Sequence, residues 1–422
     1  MKILYVSQYF PPEMGAPAAR AVELARHWQQ AGNEVTVLTG FPNHPTGVVV
    51  PEYRHHFRRL LMREHVAGVN VVRTWLLPLP KRKPHERMLN YSSFCVSSAL
   101  AGLALPRPDV IIATSPQMLV GLSGWWLACW KGVPFVFEVR DLWPESLAAV
   151  GMGNAHSVLH RSLGKLAGFL YNHCGHIVVV TPAFKEHLVE HWQLSPQRIS
   201  VVENGVETNL FSPHANGGEL RKNLGAEGKF VVSYVGTMGM AHGLDTLLHS
   251  AETLQAIVPN VLFLLIGEGA EKQRIKNEAN SRGLKNIVFL DQQPRERIPA
   301  FIGASEAGVV LLKKTDIFKT VIPTKMLEFM SCARPLILGV DGQARQIVER
   351  AQAGLLIEPE NADDLTRAIL RLASDALLCE VLGRNGRRYV VECCSRQKTA
   401  VEYLNILEAL LTGTRHRQAV AA

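Results

Sequence analysis

Cysteine is scarce and unpatterned in this chain: seven residues in 422, dispersed except for the adjacent Cys393 and Cys394, with no CxxC pair. An odd count without that spacing encodes neither a disulfide framework nor a zinc ribbon, and a reducing, cytosolic compartment is expected. Long apolar runs are missing as well. The longest, residues 95–105 and 118–130, fall short of the roughly 20 residues a spanning helix needs, so an integral membrane protein is not expected. The opening Met1-Lys2-Ile3-Leu4-Tyr5-Val6-Ser7 is too short for a signal peptide, runs directly into Pro11-Pro12, and reads as a first strand. No Walker loop, no GxGxxG and no Asp-x-Asp occur, which weakens kinase and dehydrogenase readings and any expectation of a bound metal. Short-period repeats and low-complexity tracts are absent too.

What is present is a long chain with 47% apolar residues, more than one core usually supports, so two domains are expected. Strands read at 3–7, 35–39, 69–75, 110–114, 135–139, 177–180 and 200–202, then again at 230–235, 261–266, 287–290, 308–312, 335–340 and 354–357. Helical patterns separate them, including 18–30, 87–103, 118–131, 158–172, 362–374, 376–390 and 396–411. Strands alternating with helices imply an α/β fold of two doubly wound, Rossmann-like domains with a ligand crevice at the carboxyl ends of their sheets. The expected boundaries are 1–205, 206–395 and 396–422, the last a helix returning to the first domain. The turn-rich stretch 204–213 reads as the linker about which the domains close.

Several strand ends carry candidate chemistry. Pro323-Thr324-Lys325-Met326-Leu327-Glu328 would start a helix whose free N–H groups and Lys325 meet phosphate, with Glu328 on the same face for a ribose diol. An ordinary surface Lys–Glu pair has the same pattern. Gly15, and Gly236-Thr237 through His242-Gly243, form flexible loops that precede helices and suit a diphosphate. Gly267 and Gln293 lie in loops that would frame a nucleobase, or simply turn. Glu138-Val139-Arg140-Asp141 with Glu145 gathers three acids and an arginine at a strand end. Those groups fit catalytic work at a sugar, and a structural ion-pair cluster is the alternative.

The net charge of +8 is concentrated: residues 54–87 hold nine bases against two acids. Arg54, Arg58, Arg59, Arg63, Arg82 and Arg87 are interleaved with Tyr53, Phe57, Leu60, Leu61, Met62, Trp75, Leu76 and Leu77, a mixture suited to an anionic membrane surface. RNA and plain solvent are the competing partners, and no nucleic acid is expected.

Taken in order, the Gly15 loop, Gly32-Asn33-Glu34-Val35, Pro108-Asp109-Val110, Glu203-Asn204-Gly205-Val206, Tyr234-Val235-Gly236, Gly267-Glu268-Gly269 and Lys325 with Glu328 make the chain similar to the family 4 glycosyltransferases of GT-B fold over essentially its whole length. Pro42-Asn43-His44-Pro45, Pro108 to Pro116 and Arg140-Asp141-Leu142-Trp143-Pro144-Glu145 most resemble a branch of amino-deoxysugar (N-acetyl-fucosamine) transferases of O-antigen, capsule and colanic-acid assembly. The resemblance implies a retaining transfer from a nucleotide-sugar donor, expected to be UDP-linked, to a lipid-diphosphate-linked saccharide. With no Asp-x-Asp, no cofactor or metal is expected, and the cysteine usage and the basic window lead us to expect a cytoplasmic enzyme held peripherally at the inner face of the plasma membrane. Arg140, Asp141 and Glu145 are the expected catalytic residues. Three positions depart from the family: Thr320 replaces the first Glu of E-x7-E, Arg140-Asp141 replaces His-Asp, and Thr237 and His242 stand where many members carry Arg and Lys. Diphosphate charge therefore falls on Lys325, with Lys313 or Lys319 as further candidates. A sugar-nucleotide 2-epimerase and a silent nucleotide-sugar-binding protein remain alternatives of the same architecture.

Overall fold

The computed structural model describes residues 1–44, 46–80, 83–145 and 158–421, arranged as two units. The first comprises Met1–Glu203 with Gln397–Ala422, the second Asn204–Arg396. In the first, β1 (Lys2–Val6), β2 (Glu34–Gly40), β3 (Leu61–Val66), β4 (Val69–Thr74), β5 (Val110–Thr114), β6 (Phe135–Val139), β7 (His176–Val179) and β8 (Ile199–Val201) form one sheet in the order β3-β4-β2-β1-β5-β6-β7-β8. All pairings are parallel except β3 with β4. The strand β3 had no counterpart in the sequence reading, because Leu-Met-Arg-Glu-His-Val lies inside the basic window and looks like a charged loop. It forms an antiparallel edge instead.

The second sheet contains β9 (Phe230–Val235), β10 (Val261–Ile266), β11 (Ile287–Leu290), β12 (Ala307–Leu311), β13 (Leu336–Gly339) and β14 (Gly354–Leu356), wholly parallel in the order β11-β10-β9-β12-β13-β14. Every residue of β10 is buried, as expected for a central strand covered by helices on both faces. Strand order reverses between β1 and β5 in the first unit and between β9 and β12 in the second, so each sheet has a crevice at that switch point.

One assignment changes. Residues 204–213 are not a free linker: Val206 and Phe211 are fully buried in the core of the second unit. The Arg396–Ala421 helix packs on the first unit, where Ala400, Tyr403, Leu404 and Leu407 join Tyr5 and Trp28 in one core cluster. Trp28 Nε1 donates to the Ala400 carbonyl at 3.2 Å, and its ring meets Tyr403 at 5.0 Å.

Candidate active site

The second unit's site is built around the end of β9. Its loop turns at Gly236, and the β10 loop presses against it backbone to backbone: a Cβ on Gly267, at φ +150°, would lie 1.9 Å from the Gly236 carbonyl oxygen. Gly236 N–H donates to Ile266 and Met238 N–H to Glu268, at 2.9 and 2.8 Å. These bonds hold the loop against its neighbour.

Lys325 reaches this loop from the Thr324–Ser331 helix. Its Nζ donates to the Tyr234 hydroxyl at 2.9 Å and stands 4.1 Å from that ring's centroid. The hydroxyl in turn donates to the Thr237 carbonyl at 2.6 Å. Burial pushes the Lys325 ammonium down to about 7, with Glu328 acting in the opposite sense. Pro323 precedes the helix without a side-chain cap; the Met326 N–H donates to the Pro323 carbonyl at 3.1 Å, so the Thr324 and Lys325 N–H groups are the ones at the open helix end.

Glu328 has a different hydrogen-bond partner from Lys325. It is buried, and its Oε1 accepts from Arg295 at 2.8 Å, while the Arg295 guanidinium lies 4.9 Å from the Phe211 ring. The pair expected from spacing is thus two separate contacts, with Arg295 an unforeseen member. One carboxylate oxygen is engaged by the arginine, which fixes the side chain's direction.

His242 Nδ1 lies 3.3 Å from the Leu311 carbonyl, which can only accept, so Nδ1 carries the proton. Burial, and next the charge of Lys325, drive this imidazole down to about 3, leaving Nε2 an acceptor. A neutral acceptor suits a sugar hydroxyl better than a phosphate. Gln293 donates to Asp291 within its own loop at 3.1 Å, and Asp291 and Glu268 converge on Lys272. Lys319 is paired with Asp316 at 2.7 Å, and Lys313 is exposed with its backbone tied to Ala241.

In the first unit the acidic cluster divides. Glu138 is fully buried and structural: Arg20 donates to Oε1 through Nε and Nη2 at 3.0 and 2.9 Å, and the Tyr5 hydroxyl donates to Oε2 at 2.9 Å. Burial works to raise this carboxyl, but Arg20 and Arg140 outweigh it and hold it below its usual range. Arg140 and Asp141 follow at the strand end. The Arg140 N–H donates to Ser115 Oγ at 2.8 Å, whereas its buried Nη1 has no hydrogen-bond partner among the described residues. Burial raises Asp141 to about 6 against the pull of Arg140. Glu145 Oε1 lies 3.4 Å from His187 Nε2, and its buried Oε2 has no partner among the described residues. A cation donor and a carboxylate acceptor left without partners are the kind of groups a polar substrate completes. Gly15, at φ +131°, caps the start of the Ala16–Gln30 helix and is exposed.

The model of the family "Glycosyl transferase 4-like domain" matches residues 15–205, and that of "Glycosyl transferases group 1" matches residues 218–389. The chain belongs to the group 1 glycosyltransferases. A relative in Escherichia coli, WcaI, named as a colanic acid biosynthesis glycosyl transferase, is 23% identical across 96% of this glycosyltransferase and 99% of its own length. A second, the UDP-Gal:alpha-D-GlcNAc-diphosphoundecaprenol alpha-1,3-galactosyltransferase of Escherichia coli, is 26% identical over 49% of this chain and 53% of its own. The crystal structure of HepE from Anabaena in complex with UDP-glucose superposes with a TM-score of 0.72 at 16% identity, covering 97% of this chain and all of that one (100%), and has the same GT-B fold.

The basic window of the glycosyltransferase folds more than its sequence suggested. Arg73 is turned fully inward, paired with Glu64 and bonded to the Gly40 carbonyl at 3.1 Å. Leu76 is buried, and Phe57 stacks on Trp75 at 6.2 Å, both of them half-buried. Arg54, Arg58, Arg59 and Arg63 are exposed, Arg87 is half-buried, and Arg82 lies outside the described residues. Among the described residues no helix is long and apolar enough to cross a membrane, and no group of three or more His, Cys, Asp or Glu side chains could hold a metal. Tyr234, quoted only within a matching motif, and Arg295 were not foreseen as site residues. A tyrosine as the penultimate residue of a buried strand was the available signal for the first, since its hydroxyl must emerge at the strand's end.

Proposed function

We propose that this enzyme moves a sugar, of the amino-deoxyhexose class, from a UDP-linked donor to a saccharide carried on a lipid diphosphate, with retention of configuration, in cell-surface polysaccharide assembly. The carrying observation is the Lys325 ammonium, held by Tyr234 beside Gly236 and the open amino end of its own helix. A diphosphate seated there meets one cation and several N–H donors as its leaving charge develops. Lys325 is the cation assigned to that charge, and no cofactor is assigned. The acceptor oxygen bonds to the anomeric carbon as the bond from that carbon to the diphosphate breaks, and the departing oxygen takes the acceptor proton. Glu328, steadied by Arg295, accepts from the ribose, and His242 Nε2 accepts from a sugar hydroxyl. Arg140 Nη1, Asp141 and Glu145 orient the acceptor. The relatives' names, one of them a transferase to a diphosphoundecaprenol-linked sugar, support a lipid-linked acceptor.

The test is a panel of nucleotide sugars, each with and without a lipid-diphosphate saccharide. Acceptor-dependent nucleotide release is expected. Interconversion without acceptor would make the enzyme an epimerase, and binding alone a silent protein. Lys325→Ala should lower kcat/KM for the donor by about 10²- to 10³-fold, the usual scale for losing one donor to developing charge. Wild-type kinetics in that variant would remove the site.

A further inference from the structure

A groove of about 640 Å³ opens on the first unit between the β3–β4 hairpin and the Pro84–Leu103 helix. Leu60, Leu61 and Trp75 line one wall, and Leu89, Val96 and Leu100 the other. The helix is amphipathic in the wrong sense for a surface in water. Its inward stripe carries Asn90, Phe94, Ser98 and Gly102, two of them polar, whereas Leu89, Val96 and Leu100 are outward and 52%, 60% and 61% exposed. Asn90 is satisfied inside, donating to the Leu77 carbonyl at 2.7 Å and accepting from Gln8 at 2.6 Å, so the arrangement is specific. Leu60 adds 59% exposure on the opposite wall. Contiguous apolar surface of this kind marks an interaction site.

The rim identifies the partner. Arg58 and Arg59 directly precede Leu60, Arg63 stands two residues from Leu61 on the same face of β3, and Lys83 opens the helix; all four are exposed. The nearby Glu64 is already taken by Arg73. A second copy of the chain would bring the same cations against each other in a two-fold pair, whereas anionic headgroups over hydrocarbon match both the charge and the leucines.

We propose that this groove is the membrane-docking surface of the enzyme: acyl chains of an anionic phospholipid leaflet cover Leu60, Leu61, Leu89, Val96 and Leu100, and Arg58, Arg59 and Arg63 lie among the phosphates. The inference rests on the reading that the acceptor is lipid-linked, and it adds where the lipid is met. The helix face enters the interface as an in-plane amphipathic element, with no segment crossing.

Co-sedimentation of the full chain with vesicles of phosphatidylglycerol and phosphatidylcholine tests it, with pure phosphatidylcholine as control. Wild type is expected to bind the anionic vesicles and to release as salt rises. Leu89→Ser, Val96→Ser and Leu100→Ser together should weaken binding at least tenfold while leaving the melting temperature and donor KM unchanged. Should the triple variant unfold, Leu100→Glu alone, at a solvent-facing position, should still cut binding severalfold. Wild-type binding by these folded variants would overturn the groove while leaving the membrane reading in place. No binding of wild type to any vesicle would remove both, and the soluble transfer assay would still judge the enzyme assignment. Binding to neutral vesicles only when a polyprenyl diphosphate is added would make the acceptor's chain the occupant. A dimer lost in the triple variant would make it a second copy. Either result refutes the bilayer.

Discussion

Lys325 is a cation kept ready by its surroundings at a cost in protonation. Its ammonium, lowered to about 7, is charged below that pH and neutral above it. Donor affinity should therefore fall as pH rises through about 7, seen as a rising donor KM, and Lys325→Arg should flatten that dependence because a guanidinium stays charged. Folding responds with the same proton. Between about pH 7 and 10.5 the unfolded chain holds it and the folded chain has shed it, so stability from this group rises with pH in that window. Asp141, raised to about 6, predicts an acid limb: kcat/KM for the acceptor should climb through about pH 6, and Asp141→Asn should abolish the limb. Arg20 belongs to stability instead. Arg20→Ala leaves Glu138 buried without its main partner and should cost about 3–5 kcal/mol in urea unfolding.

At the scale of elements, the donor loop depends on two backbones meeting without a side chain between them. Gly267→Ala places a Cβ 1.9 Å from the Gly236 carbonyl oxygen, which must move. Donor KM should rise about tenfold or more, and crystallography of the variant should show the β9 loop displaced. The same elements explain what could be read in advance. The strands β9 and β10 have the bounds their apolar runs implied, because a strand buried on both faces writes itself as an unbroken run. The strand β3 did not, since its edge position lets Arg63, Glu64 and His65 interrupt the pattern. Lys325 was legible from a helix start after a strand. Its partner Tyr234 was not, because the two are separated by 91 residues, and only the parallel sheet brings them together. The spacing of three between Lys325 and Glu328 fixed their helix face but not their partners, and Arg295 redirected the glutamate.

Across the whole molecule, the path of the chain matters more than any single contact. The first unit is completed by the last helix, whose Tyr403, Leu404 and Leu407 share a core with Trp28. Trp28→Ala should destabilise that unit by about 3–5 kcal/mol, and removal of residues 397–422 should expose the same cluster and lower the melting temperature of the first unit ahead of the second. Between these two parts of the first unit lies residues 204–396 as one uninterrupted segment. Its ends are stitched side by side: Val206 N–H donates to the Cys394 carbonyl at 3.0 Å, and Arg396 N–H to the Val206 carbonyl at 2.9 Å. A segment that enters and leaves at one point is a cassette. Excised without cutting its sheet, it should fold alone, and under the proposed function it should bind a nucleotide and, exchanged between relatives, carry a new donor preference with it.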